Sequence, residues 1–387
     1  MAFTARLGLS LGEQTNTGQA MIKNDMAKGA HNLLIGCGGL KRGDTLLVLY
    51  ESADLNYYDQ GIVDGVRQGA ENLGIVAHFQ EVPFSREVAD PRPELMSKMM
   101  AADRTLFLAR MGDQIRFRSS MDGIKPIVSY ALDGDMLASS FGQADYQGFV
   151  RLKEIVNSSL GKAKDIRVTC PLGTDFGGPC ADYLNEAEDV TVARFPMSVF
   201  TPAPAGNFAG KIAQRGFLVG TGSQYYDPYG CELNETLLVH FDGHRITGFE
   251  GSQKDVAAAE AHYAHVAKIF DIDKTFVHSW HAGIHPGCDY KQPASASLER
   301  WSGGAFGNPR LMHFHTCGAY APGEISLNVL DPTIKIDGVK VWDNGRFDPK
   351  RIDGGAELFD EFPQIRDVFE NPAQNCGQGS DGQLSFI

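Results

Sequence analysis

Eleven histidines are spread over the 387 residues of the chain, and five of them fall in one segment: His278, His281, His285, His313 and His315. Imidazole is the commonest protein ligand for transition metals and titrates near neutrality. Such a cluster beside glycine-rich loops is a candidate site. His313-Phe-His315 is its sharpest part. If residues 310–317 form a strand, positions two apart share a face. Both imidazoles then look into one cavity, and Phe314 turns into the opposite layer. His281-Ala-Gly-Ile-His285-Pro286 has the spacing of one helical face, but Gly283 and Pro286 favour a loop, on which two rings can still converge. Asp289 and Glu324 are nearby carboxylates able to complete a ligand set. Two or three histidines with one carboxylate suit Fe(II), Mn(II) or Zn(II). An isolated histidine pair is usually a surface feature or a satisfied core pair; the density of five is what sets this segment apart.

Other residue types offer weaker chemistry. Cys288 follows His285-Pro-Gly and Cys317 lies two residues after His315, so either thiol has an imidazole close by in sequence. Strand neighbours diverge, and both cysteines read better as small buried hydrophobes. Gly173-Thr-Asp-Phe-Gly-Gly178 could turn backbone N–H groups toward an anion or simply end a strand. The loop Gln224-Tyr-Tyr-Asp-Pro-Tyr229 offers Tyr225 and Tyr226 as a wall for a planar substrate. Arg110, Arg116 and Arg118 follow the third strand, where open α/β sheets bind ligands. Arg110 is placed there as the bidentate partner of a substrate carboxylate.

These residues need elements to position them. The first part of the chain alternates helix and strand: a helix over 19–35 stopped by glycines, a strand Thr45–Tyr50, a helix 58–73 closed by Gly74, then strands over 75–82, 104–109 and 124–130. That alternation predicts an open parallel sheet. After Gly161 the composition changes to short strands split by Gly, Pro and Asn, with an Asp242-Gly243 hairpin signal and one clear helix over 254–270. The fold class expected is therefore α/β: an N-terminal parallel α/β domain (1–160) and a C-terminal α+β domain of mostly antiparallel strands that carries the metal site (161–387). The tail 371–383, rich in Gly, Gln and Asn, reads as loosely held.

Composition narrows the function. With 35 Lys+Arg against 48 Asp+Glu the net charge is −13, which argues against binding nucleic acid or an anionic membrane. No apolar run approaches the ~20 residues that span a bilayer, and residues 1–18 hold no secretory apolar core. The seven cysteines are scattered and form no Cys-x-x-Cys pair. This fits a reducing compartment and excludes a zinc ribbon, so the expected location is the cytoplasm. No G-x-G-x-x-G follows the first strand and no Walker A motif occurs, so a nucleotide role is unsupported.

The order of segments resembles the aminopeptidase T-like metallopeptidases, whose fold is shared by the 2,5-dihydroxypyridine dioxygenases. The resemblance is carried by Gly39-Leu-Lys-Arg-Gly-Asp44 before the first strand, Val168-Thr-Cys-Pro-Leu-Gly-Thr-Asp175, and Phe195-Pro-Met-Ser-Val-Phe-Thr-Pro202 followed by Gly210. Further on it is carried by Asp242-Gly-His-Arg-Ile246 with Gly248, Ala282-Gly-Ile-His-Pro286, and the stretch from Glu324 to Gly338 that ends Pro332-Thr-Ile-Lys-Ile-Asp-Gly338. It covers most of residues 35–345 in order. It implies the two-part fold and a metal-dependent enzyme, and it implies a homodimer with the site near the interface. The family's metal ligands do not carry over. Ser198 stands where the peptidases place a glutamate, Ser279 stands at the second ligand position, and the closing His-x-Asp falls on Glu324-Ile-Ser326. The two-metal peptidase site is thus absent.

The expectation that follows is a single divalent metal held in the same place by His281, His313, His315 and Glu324, with Fe(II) first and Zn(II) or Mn(II) as alternatives. His278 is an alternative to His281, and Glu324 and His285 are cast as catalytic groups. The leading function is a mononuclear metal enzyme acting on a small aromatic or heteroaromatic molecule, for which the resemblance supplies an iron-dependent ring-opening oxygenase as precedent. A metallohydrolase, amidase or aminopeptidase, with Glu324 as base and a non-catalytic binding protein on the same fold are the alternatives.

Overall fold

The computed structural model describes residues 24–87, 90–116, 123–180, 183, 190–318 and 321–386. Arg118 and the segment before residue 24 lie outside them. Among the described residues the strands, in chain order, are β1 (Thr45–Tyr50), β2 (Val76–Glu81), β3 (Arg104–Leu108), β4 (Pro126–Ser129), β5 (Ile166–Thr169), β6 (Asp175–Gly178), β7 (Ala193–Phe195), β8 (Ala203–Pro204), β9 (Ala209–Val219), β10 (Gly230–Asp242), β11 (Arg245–Glu250), β12 (Val277–Ala282), β13 (Leu311–Thr316), β14 (Ile325–Leu330), β15 (Thr333–Ile336), β16 (Val339–Asp343) and β17 (Arg346–Phe347).

The first sheet is parallel, in the order β2-β1-β3-β4-β7. Its central strands are apolar because helices cover them. The helix Gln60–Leu73 shows how the sequence sets such an element. The Asp59 carboxylate accepts from the Ile62 N–H at 2.9 Å, and Gly74 ends the helix in the left-handed region at φ +70°. Its buried face, Ile62, Val63, Val66 and Ala70, belongs to the main core. The fifth strand, β7, comes from well beyond residue 160 and pairs with β4.

The second sheet runs β17-β16-β15-β5-β6-β9-β14-β13-β12-β8, with β10 and β11 joined on through β9. All its pairings are antiparallel. Together the two sheets make the expected α/β class, parallel first and antiparallel after. Phe314 of β13 faces away from the histidines into an aromatic layer, 5.1 Å from Phe176 by ring centroids, with Phe176 in turn 5.8 Å from Trp280. These edge contacts fix how β12 and β13 sit.

Two expectations change. The segment around His281 is not a loop: β12 extends to Ala282, and Gly283 only begins the turn. The tail is held, not loose. The Trp301 Nε1–H donates to the Cys376 carbonyl at 2.8 Å, the Tyr290 N–H to Asn375, the Ala373 N–H to Pro286, and Cys376 is fully buried. Backbone pairing replaces the apolar side chains that the tail lacks. No helix among the described residues is long and apolar enough to cross a membrane.

Candidate metal centre

The site begins with strand register. Antiparallel pairing sets His281 of β12 directly opposite His313 of β13, and His315 follows two residues along on the same face. Three imidazoles converge as a result. His281 Nε2 lies 2.6 Å from His313 Nε2 and 3.1 Å from His315 Nε2. One ligand atom from each ring lies within 4.8 Å of the others, and His281 and His313 are buried.

The groups behind the rings decide their tautomers. The Phe200 carbonyl can only accept, so His281 Nδ1 carries the proton that meets it at 3.1 Å. The Glu324 carboxylate accepts from His315 Nδ1 in the same way. With both rings in these neutral tautomers, the two Nε2 atoms present bare lone pairs to each other. Facing lone pairs repel unless a cation stands between them. A carbonyl or carboxylate behind an imidazole is also the usual support for a metal-binding histidine. The donor set therefore fits a divalent transition metal.

Electrostatics agree. Burial, then the neighbouring imidazoles and Arg116, holds His313 well below the ordinary imidazole value. Burial with His315 and Arg194 does the same for His281. Both are neutral at physiological pH, the form that binds metal. Burial pushes Glu324 up, but the adjacent His315 and Arg116 outweigh it and hold the carboxylate below its usual range. His278 sits at the side, Nδ1 bonded to the Ser279 hydroxyl at 2.8 Å, and burial lowers it to about 4.

The triad forms one wall of a cleft whose empty volume, mouth included, is about 890 Å³. Phe306 stacks on His313 at 4.1 Å, and Phe141, Val199 and Pro202 add apolar surface. The helix Leu298–Gly304 contributes Ser302, Gly303 and Gly304, whose small size leaves the space open. Ser198 and Ser279, at the positions where the resemblance implies peptidase ligands, both line the cleft.

The structure brings together His281, His313, His315 and Glu324, with Glu324 behind a ring instead of beside it. Its carboxylate reaches the triad only through His315 Nδ1, because it stands at the start of β14, next to the end of β13. His285, expected to be catalytic, is elsewhere. It is fully buried, stacked on Phe149 at 3.8 Å, with Nδ1 accepting from the Gly287 N–H, and it does not line the cleft. Arg110 is also away from the cleft, in an ion network with Glu51 and Glu299. Tyr226 donates to the Glu324 carbonyl at 3.0 Å, and neither it nor Tyr225 lines the cleft. The loop that carries them is packed inward, both tyrosines being buried. Cys288 and Cys317 are buried, and burial raises both thiols, to about 12 for Cys317, so neither is a thiolate nucleophile. Sequence reasoning missed Asp113, Tyr130, Arg194 and Phe306, which line the cleft, and favoured Arg110 over Arg116, which does. The helix Met111–Ile115 was the missing signal, because it turns Asp113 and Arg116 inward together.

No family model and no curated protein sequence matches the chain. Among solved structures it is similar to 2,5-dihydroxypyridine dioxygenase from Pseudomonas putida KT2440, with a TM-score of 0.55 and 15% identity over 84% of this chain and 97% of that one. Wild-type AmpT from Thermus thermophilus aligns at a TM-score of 0.44 and 9% identity over 84% of this chain and 99% of that chain. The first likeness establishes that this chain has the fold of that dioxygenase, the structural relationship implied by the segment order.

Proposed function

We propose that this protein is a mononuclear metal-dependent enzyme acting on a small aromatic or heteroaromatic substrate, an iron-dependent ring-opening oxygenase. One observation carries the reading: the Nε2 atoms of three imidazoles, His281, His313 and His315, meet inside a partly apolar cleft. His281, His313 and His315 would hold the ion. Bound there, Fe(II) would supply redox chemistry toward dioxygen and a polarising centre for the ring. The chain's own groups do the rest. Glu324 keeps the His315 proton on Nδ1, and the Phe200 carbonyl does so for His281. Phe306, Phe141 and Pro202 give a flat substrate an apolar seat and exclude water from it. The shared dioxygenase fold supports the choice of reaction as an analogy only.

Hydrolysis is the weaker reading. It needs Glu324 as a base; Glu324 does line the cleft, but its Oε1 is held by His315 Nδ1. We also place the protein in the cytoplasm, where its seven free cysteines stay reduced, and as a homodimer.

The test is elemental analysis of protein purified without chelators, paired with His313→Ala/His315→Ala. About one iron per chain, lost in the double variant, with oxygen uptake on hydroxylated aromatic probes, is the expected result. Zinc, manganese or cobalt with amide cleavage would move the protein to the hydrolases. No metal at all would leave a binding protein.

A further inference from the structure

The cleft has a second wall, from the parallel-sheet half of the chain, and its chemistry is different. Asp113 follows β3 on the helix Met111–Ile115, lines the cleft and is only 5% exposed. An ionised carboxylate has about four lone-pair positions. Oδ1 of Asp113 takes the Arg116 guanidinium and the Tyr130 hydroxyl, the latter at 3.1 Å. Oδ2 is buried with no hydrogen-bond partner. The Thr221 hydroxyl oxygen, on the same cleft, is also buried and unpartnered. Next to Thr221, Gly222 has φ +71°, and any side chain there would collide with Asp113 Oδ2. Buried acceptors are almost always paired. Here the missing partner is a donor, and both Asp113 and Thr221 line the cleft where a substrate would lie.

We propose that Asp113 is a specificity-determining residue whose Oδ2 accepts a hydrogen bond from an O–H or N–H on the substrate, beside the Thr221 hydroxyl. The inference rests on the cleft being the substrate site proposed above, and not on the metal. It defines the ring that fits: one edge carries a free hydroxyl or ring N–H. An ether at that edge leaves Oδ2 unpaired, and a carboxylate there meets like charge. A site built around a polar partner rejects the analogue that lacks it far more strongly than an apolar pocket rejects a missing methylene.

The experiment is calorimetric titration of the full chain with 3-hydroxypyridine and with 3-methoxypyridine, before and after treatment with chelator. Stripping the metal separates the Asp113 contact from any ligation by the probe. The hydroxyl compound is expected to bind at least about 10-fold more tightly to the stripped wild type. In Asp113→Asn that ratio should fall to about 3-fold or less. Equal affinities in the wild type, no binding of either probe at millimolar concentration, or an unchanged ratio in Asp113→Asn would overturn the proposal. If Asp113→Asn fails to fold by circular dichroism, Thr221→Val decides: a reduced ratio supports the subsite and an unchanged one overturns it. Metal content measured in parallel keeps the two ideas apart. A hydroxyl preference in a protein that binds no metal removes the metal reading and leaves this one. Stoichiometric metal with equal affinities does the reverse.

Discussion

At the scale of single residues, the site depends on which nitrogen of each imidazole carries the proton. Glu324 sets this for His315, and it does so while buried at 3% exposure. A neutral amide in its place could accept the Nδ1 proton through its oxygen, or turn its NH₂ toward the ring and favour the wrong tautomer. It would also remove the negative charge that makes the imidazole a stronger donor. Glu324→Gln is therefore expected to weaken metal binding about 10–100-fold while the fold persists. Competition with a chelator of known affinity measures the first, and a thermal melt the second. Unchanged metal affinity would mean that the carboxylate is structural only. Ser198 and Ser279 complete the argument by what they lack. Both line the cleft, and neither offers the carboxylate that a second metal would need.

At the scale of elements, backbone irregularities are closed by side chains from neighbouring segments. The register of β10 on β9 shifts between Leu233 and Leu237, which takes N–H groups out of the ladder. Asp255, in the first turn of the helix Gln253–Phe270, collects them. Its carboxylate accepts from Asn234 N–H at 3.0 Å, Glu235 N–H at 2.9 Å, the Asn234 amide at 3.0 Å and the Ser252 hydroxyl at 2.9 Å. Burial raises this carboxyl, but those bonds outweigh it and hold it at about 2. Asp255→Ala should cost about 2–3 kcal/mol at neutral pH. Because the folded value lies below the unfolded one, the wild type's advantage is full above about pH 4 and fades as pH falls toward about 2. Denaturant melts of both proteins at neutral pH and near pH 3 check this, and a gap that does not narrow at the lower pH would contradict it. Patterns local in sequence were legible at this scale. The His313-x-His315 strand, the Asp242-Gly243 turn, the Gln60–Leu73 helix and the last long helix follow from periodicity and caps. Long-range register was not. Nothing in Gly283 or Pro286 reveals that His281 lies opposite His313, because pairing is decided by the aromatic layer beneath. Arg110 and His285 looked reactive for the same reason: sequence shows a residue's type, but not that Glu51 and Glu299 neutralise the one and Phe149 encloses the other.

At the scale of the molecule, the cleft is built from both sheets, so the two parts of the chain must be held in register. Arg110 is one tie that does this. It follows β3, donates to Glu51 after β1 at 2.8 Å, and reaches Glu299 on the helix Leu298–Gly304 at 2.8 Å. Glu299 in turn accepts from the Gln224 N–H at 2.7 Å, next to the loop that places Thr221 and Gly222. Phe84 covers the guanidinium at 3.5 Å. One cation thus links the parallel sheet to two segments of the cleft. Arg110→Met would keep much of the volume and leave two buried carboxylates without a cation, at a cost of about 3–5 kcal/mol near neutral pH. Burial already holds Glu299 above its ordinary value against the pull of Arg110, and removing the cation raises it further. A carboxyl whose folded value exceeds its unfolded one stabilises the fold most at low pH and loses that contribution as pH rises through the folded value. The variant's deficit should therefore be largest at about pH 7 and shrink toward about pH 5, narrowing with falling pH as the Asp255→Ala gap does but in a higher pH window. Urea melts at the two pH values measure it. A deficit that is the same at both would show that Arg110 acts through packing on Phe84 and Tyr57 and not through its charge.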